Sequence, residues 1–113
     1  MSQTITLNLA DGSIQFSFSA AAAQALKTDL DSLITQMKAA TAAGTPRRAP
    51  LPSTEHRHSG DVFLEVFCNP NLWPSPFAAR VLLTLRDDRI RLTTETGLSQ
   101  FYDDLTTYLD QVT

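Results

Sequence analysis

The chain has little of what small exported scaffolds and most small enzymes are built from. Cys68 is the only cysteine in 113 residues, so no intrachain disulfide can form and a disulfide-stapled framework is excluded. There are two histidines, His56 and His58, and no CxxC or HExxH spacing accompanies them. The four glycines stand singly at 12, 44, 60 and 97, which leaves no glycine-rich loop to cradle a phosphate. No stretch approaches the ~18 consecutive apolar residues that span a bilayer. The opening residues MSQTITLNLADG lack the basic segment and apolar run of a secretory signal, so the expected location is the cytoplasm. Net charge is −3 and the pI about 5.1, so no overall field draws the chain to nucleic acid or a membrane surface.

What is present is an ordinary globular composition, 42% apolar and 19% charged, in a length that suits one domain over residues 1–113. Its main pattern is a hairpin followed by a helix, used twice. Residues 5–18 align with residues 81–94 without a gap, and Leu7, Leu9, Asp11 and Ile14 recur as Leu83, Leu85, Asp87 and Ile90. Duplication and two separate uses of a common hairpin–helix grammar both account for the repeat.

In the first unit Ile5, Leu7, Leu9, Ile14, Phe16 and Phe18 alternate with polar residues, the mark of strands with one wet face. Asp11-Gly12 reads as a two-residue type I′ turn pairing Leu9 with Ile14 and Ile5 with Phe18. Ser19 is the expected N-cap of a helix whose apolar stripe is Leu26, Leu30, Leu33, Ile34 and Met37, with Gly44 and Pro46 ending it. Residues 43–60, rich in proline, alanine and polar groups, read as a mobile linker or loop. A third strand is expected over 61–68, followed by a proline-broken loop that Trp73 and Phe77 anchor to the core.

In the second unit an Asp87-Asp88 turn would pair Leu85 with Ile90 and place Arg86 opposite Arg89. Thr96 is the expected cap of the last helix, whose stripe is Leu98, Phe101, Leu105, Tyr108, Leu109 and Val112. Asp103, Asp104 and Asp110 fall on its outer face as solvating charges. The fold predicted is α+β, ββα–linker–βββα: an antiparallel sheet of about five strands with two helices packed on one face.

No catalytic, cofactor-binding or metal-binding set emerges. His56 and His58 would point the same way from an extended chain, a spacing that can chelate a metal, but Arg57 lies between them and the segment reads as loop. Cys68 alternates with Val62, Leu64 and Val66, the position of a small core residue rather than a nucleophile. Two surface features remain. Phe63, Phe67 and Leu82 fall on the strand face away from the expected core, and with Arg91 they form a candidate interface. Arg47, Arg48, Arg57, Arg86 and Arg89 could gather into a patch for an anion or an acidic partner.

The residues Leu83-Thr-Leu85-Arg86-Asp87-Asp88-Arg89 and Leu92-Thr-Thr94-Glu95, within Arg80 to Asp110, resemble the C-terminal part of short uncharacterised proteins of oxygenic photosynthetic bacteria. That resemblance implies a bacterial protein connected with photosynthetic machinery and carries no site residues. The order of three strands and a helix over 61–112 is also similar in topology to the COMM domain, a dimerising interaction module, although Trp73 does not match that family's early tryptophan.

The function expected is a non-enzymatic protein-interaction module, a homodimer through the outer sheet face. One alternative is an assembly factor or regulator gripping an acidic partner through the basic linker. Another is a ligand-binding or enzymatic domain with a pocket near Trp73. Neither a membrane nor nucleic acid is an expected partner.

Overall fold

The computed structural model describes residues 3–42 and 51–112. Six strands and two helices follow in the order β1 (Thr4–Leu9), β2 (Gly12–Ser17), α1 (Ala20–Ala42), β3 (Thr54–His58), β4 (Phe63–Cys68), β5 (Arg80–Arg86), β6 (Arg91–Gly97) and α2 (Leu98–Val112). A single 3-10 turn at Pro70–Leu72 sits between β4 and β5. The α+β class holds, but the single five-stranded sheet does not. β1 and β2 form a two-stranded sheet of their own, and β3-β4-β5-β6 form a four-stranded antiparallel meander.

The alternation read from the sequence places the core correctly. Ile5, Leu7, Phe16 and Phe18 from the hairpin are buried in one cluster with Leu26, Leu30, Leu33 and Met37 of α1. Leu64, Val66 and Cys68 of β4, Val81, Leu83 and Leu85 of β5, and the stripe Leu98, Phe101, Leu105, Tyr108 and Leu109 of α2 join the same cluster. One face of the large sheet therefore meets both helices and the hairpin. The opposite face has no layer over it among the described residues.

Both turns differ from expectation by a slide of two residues. The first hairpin pairs Leu9 with Gly12, Leu7 with Ile14 and Ile5 with Phe16, so Ala10-Asp11 make the turn and Gly12 lies in the strand. The second pairs Arg86 with Arg91, Leu85 with Leu92 and Leu83 with Thr94, leaving residues 87–90 as the loop. There the Asp87 carboxylate accepts from the backbone N–H groups of Arg89 (2.8 Å) and Ile90 (2.9 Å), an Asx-type turn that a short acidic side chain favours. Those two amides hold the Asp87 carboxyl below its ordinary range. A slide of two preserves the period of a strand, so the residues that remain in the strands keep the side expected of them. Arg86 faces Arg91, not Arg89, and Ile90 stands in the loop 66% exposed.

The expected linker over 43–60 contains a strand. Thr54–His58 pairs antiparallel with β4, from Thr54 opposite Cys68 to His58 opposite Leu64. No residue of β3 is fully buried, so it carries no hydrophobic alternation, and pairing with β4 rather than apolar patterning makes it a strand. Residues 43–50, with Gly44, Pro46, Arg47 and Arg48, lie outside the described residues. Phe77, expected as an anchor, is 84% exposed, while Trp73 packs half-buried against the core.

Ser19 caps α1 as expected, its Oγ accepting from Ala22 N at 3.1 Å. Thr96 does not cap α2. It points inward opposite Val81 and is buried, and β6 runs directly into the helix, whose first amide, Leu98 N, donates to Ala79 O at 2.9 Å.

Asp104 is the largest departure. It is 8% exposed rather than a solvating charge. Its carboxylate accepts from Asn8 N (2.7 Å), Asn8 Nδ2 (2.9 Å) and Gln100 Nε2 (2.9 Å). The Asn8 amide is thus satisfied by α2 and not by a further strand. Replacing Asp104 with alanine removes three hydrogen bonds to a buried carboxylate and is expected to cost roughly 1–3 kcal/mol. Asp103→Ala, on the exposed side, should stay within about 0.5 kcal/mol of the unmodified protein. Paired urea unfolding curves check the contrast.

Candidate interaction surface

Strand registers assemble the outer face of the four-stranded sheet into rows. Glu55, Phe67, Leu82 and Glu95 lie side by side across β3 to β6. Arg57, Glu65, Thr84 and Thr93 form the middle row. Phe63, Arg86 and Arg91 form the third, beyond the end of β3. All four residues of the candidate interface, Phe63, Phe67, Leu82 and Arg91, therefore share this face. Phe63 and Phe67 are half-buried, Leu82 is 41% exposed and Arg91 is exposed.

Charge on the face is mixed and mostly paired. Arg57 bonds Glu65 at 2.6 Å and lies 3.6 Å from Glu55. Its guanidinium pKa is raised, first by the hydrogen bond to Glu65. Arg80 pairs with Glu95. The Arg86 guanidinium stacks 4.3 Å above the Phe63 ring, which shields that ring and explains its partial burial. Arg91 has no ion pair among the described residues. Thr84, at the centre, is 8% exposed beneath longer neighbours.

The expected basic patch does not gather as one. Arg57 is neutralised on the outer face, Arg86 lies over Phe63, Arg89 sits in the β5–β6 loop, and Arg47 and Arg48 fall outside the described residues. Glu55 and Glu95 are members of the face that the sequence reading left out. The parity of Arg91, Thr93 and Glu95 along β6 was the available signal.

His56 and His58 do project from the same side of β3, toward the helices, but to separate partners. His56 Nδ1 lies 2.6 Å from Asp29 Oδ2 of α1, and the His58 ring packs edge-on against Phe18 at 5.3 Å between centroids. They tie the edge strand down. Among the described residues no group of three or more His, Cys, Asp or Glu side chains converges as a metal site. Cys68 is buried, and burial pushes its thiol from an ordinary value of 9.0 up to about 11.

Between α1 and α2 an open groove of about 410 Å³ is lined by Ile34, Lys38, Phe77, Leu98 and Tyr102 among others, and Trp73 is not part of it. On its rim Tyr102 donates to Asp31, which also accepts from Lys27 at 2.9 Å. The tyrosine hydrogen bond first, then the lysine, holds the Asp31 carboxyl below its ordinary range. The trio links the two helices, and its acid is already occupied. No helix among the described residues is long and apolar enough to cross a membrane.

Comparison with protein-family models, with curated proteins and with solved structures finds no match.

The thiol supplies a pH prediction. The unfolded chain releases the Cys68 proton near pH 9, the folded chain near 11. The stability contributed by keeping the thiol neutral is therefore complete below pH 9 and lost as pH rises through that window. Cys68→Ala should flatten this part of the stability–pH curve. At neutral pH a disulfide reagent should label the native protein only at the rate at which it opens, and immediately in denaturant. Fast native labelling would contradict the burial.

Proposed function

We propose that the chain is a non-enzymatic protein-interaction module whose working surface is the outer face of the four-stranded sheet, and that its occupant is a second copy of the chain. The observation that carries this reading is the uncovered pair of Phe67 and Leu82, with Phe63 two rows further along the same face beneath Arg86, on a sheet whose other face is sealed by both helices and the hairpin. Apolar side chains left on a structured face mark an interface more often than an ornament of the surface. The face also carries both signs of charge, which suits pairing with itself under two-fold symmetry.

The groove between the helices speaks less for chemistry. Its polar groups do not converge on a sequestered point, since Asp31 is held by Tyr102 and Lys27 and the groove is open. Of the linker arginines in the alternative reading, Arg57 is held by Glu65, and removing residues 45–58 would take β3 out of the sheet rather than a tether.

Solution mass measured by light scattering across a range of concentrations should rise from monomer to dimer. Phe67→Asp should remain folded by circular dichroism and stay monomeric throughout. A monomer at every concentration in the unmodified protein, or an undisturbed dimer in Phe67→Asp, would end this reading.

A further inference from the structure

The inner face of the large sheet is closed over β5 but left open over β6. Leu85 and Leu92 are direct cross-strand neighbours on that face, yet Leu85 is 4% exposed and Leu92 is 37% exposed. β6 is the last strand of its sheet, and no strand pairs with its far side among the described residues. We propose that this edge docks an extended segment of a partner protein, which adds to β6 as one more antiparallel strand with an acidic side chain beside Arg91 and a branched apolar one beside Leu92.

The backbone of β6 is arranged for such an addition. Asp87 N donates to Ile90 O (3.0 Å) and Leu98 N donates to Ala79 O (2.9 Å), at the two ends of the β5–β6 ladder. Bonded pairs alternate along an antiparallel ladder, so Leu92, Thr94 and Thr96 turn their backbone groups to β5. Arg91, Thr93 and Glu95 turn theirs outward. Of these outward groups, the Glu95 carbonyl alone has a side-chain partner among the described residues, Arg80 at 3.5 Å. Apart from the outer-face charges of Arg91 and Glu95, β6 lacks the devices that keep an edge unpaired. Residues 91–97 include no proline, the register runs without a bulge, and the inward residues Leu92, Thr94 and Thr96 are uncharged. The opposite edge, β3, is fastened to α1 through His56 and Asp29.

Side chains define the occupant. Arg91 stands beside Arg86 across the ladder, a like-charged pair, and Arg86 is stacked on the Phe63 ring. A carboxylate on the far side of Arg91 offsets that repulsion. On the inner face a cleft of about 170 Å³ is lined by Ile14, Phe16, Val62, Leu85, Ile90 and Leu92 among others. A side chain opposite Leu92 stands at the edge of this cleft, and an apolar one extends the core by a strand. Strand addition takes its affinity from main-chain bonds and its selectivity from alternate side chains. A second copy of β6 meets only one of the two demands at a time. Hydrogen-bond parity lets Arg91 face Glu95 of the second copy, which sets Leu92 against Thr94; or it lets Leu92 face its own counterpart, which sets Arg91 against Thr93. A foreign segment meets both. One added strand is a small contact, so the complex should be reversible.

The probe is a capped peptide, Lys-Val-Thr-Ile-Glu-Ile, written so that its glutamate stands opposite Arg91 and the isoleucine before it opposite Leu92. Titrated into the isotope-labelled protein and followed by amide NMR, it should shift Arg91, Thr93 and Glu95 and slow their hydrogen exchange by about tenfold or more. The same peptide methylated at the nitrogen of its threonine, which faces Thr93, should bind about tenfold more weakly. Thr93→Pro removes an outward amide that β5 does not use, so it should stay folded and lose the peptide. Arg91→Glu should weaken binding about fivefold, and lysine in place of the peptide's glutamate should restore it. Phe67→Asp, altered two strands away from β6, should bind unchanged. Binding that ignores the methyl group, or a titration that leaves the β6 amides unmoved, overturns the docking edge and leaves the outer-face reading standing. Dimers of Phe67→Asp that Thr93→Pro turns into monomers assign the edge to a second copy and overturn the foreign strand.

Discussion

The carboxylate of Asp104 fastens the N-terminal hairpin to the C-terminal helix. A two-stranded hairpin presents two open edges, and an unsatisfied edge amide either recruits another strand or finds a different acceptor. Here the acceptor comes from α2. Asp104 takes both the backbone and the side-chain amide of Asn8, and Gln100, one turn earlier, supports it. One turn later Tyr108 donates its hydroxyl to Phe18 O at the exit of the hairpin, and Tyr102 reaches Asp31 on α1. The C-terminal helix thus ties together the hairpin, the first helix and, through its continuity with β6, the large sheet. At Asn8 the edge of the hairpin is occupied by α2, and its inward side chains join the common core.

That arrangement explains the two unlike faces of the large sheet. Helices and hairpin compete for one side, where Leu64, Val66, Val81 and Leu83 are sealed. Nothing in the described chain turns back to the other side. The edge strand β3 is held by polar and aromatic contacts, His56 to Asp29 and His58 to Phe18, rather than by apolar burial of its own. The sheet is therefore rigid in its middle strands and lightly fastened at one edge. A face of this kind is better suited to presenting a fixed pattern of side chains than to enclosing a substrate, which is why an interaction surface is the functional reading the geometry favours.

Much of this was legible before any coordinates. The inward residues of β1, β2, β4 and β5, the two helical stripes, the Ser19 cap and the core position of Cys68 follow from periodicity and local chemistry. The shared outer face of Phe63, Phe67, Leu82 and Arg91 followed from the same parity. The errors have a common origin. Turn positions slid by two residues because strand alternation is blind to such a slide, and the Asp87 loop was settled by two backbone amides that no pattern records. Strand β3 was missed because TEHRH has no apolar face, being defined by its neighbour's edge. Asp104 was placed in solvent because its helix face, taken alone, is polar, and only the approach of β1 from 96 residues away encloses it.

The sequence by itself determined the α+β class, the two hairpin–helix units and the side of each strand that turns inward. Those features depend on spacings of two and of three to four residues, which local sterics and hydrophobic burial enforce wherever the chain goes. Tertiary structure alone decided that the strands divide into two sheets, that a histidine-bearing segment becomes an edge strand, and that an aspartate joins the core. These outcomes depend on hydrogen-bond partners distant in sequence, and a backbone amide gives no sign in the sequence of which acceptor will reach it first.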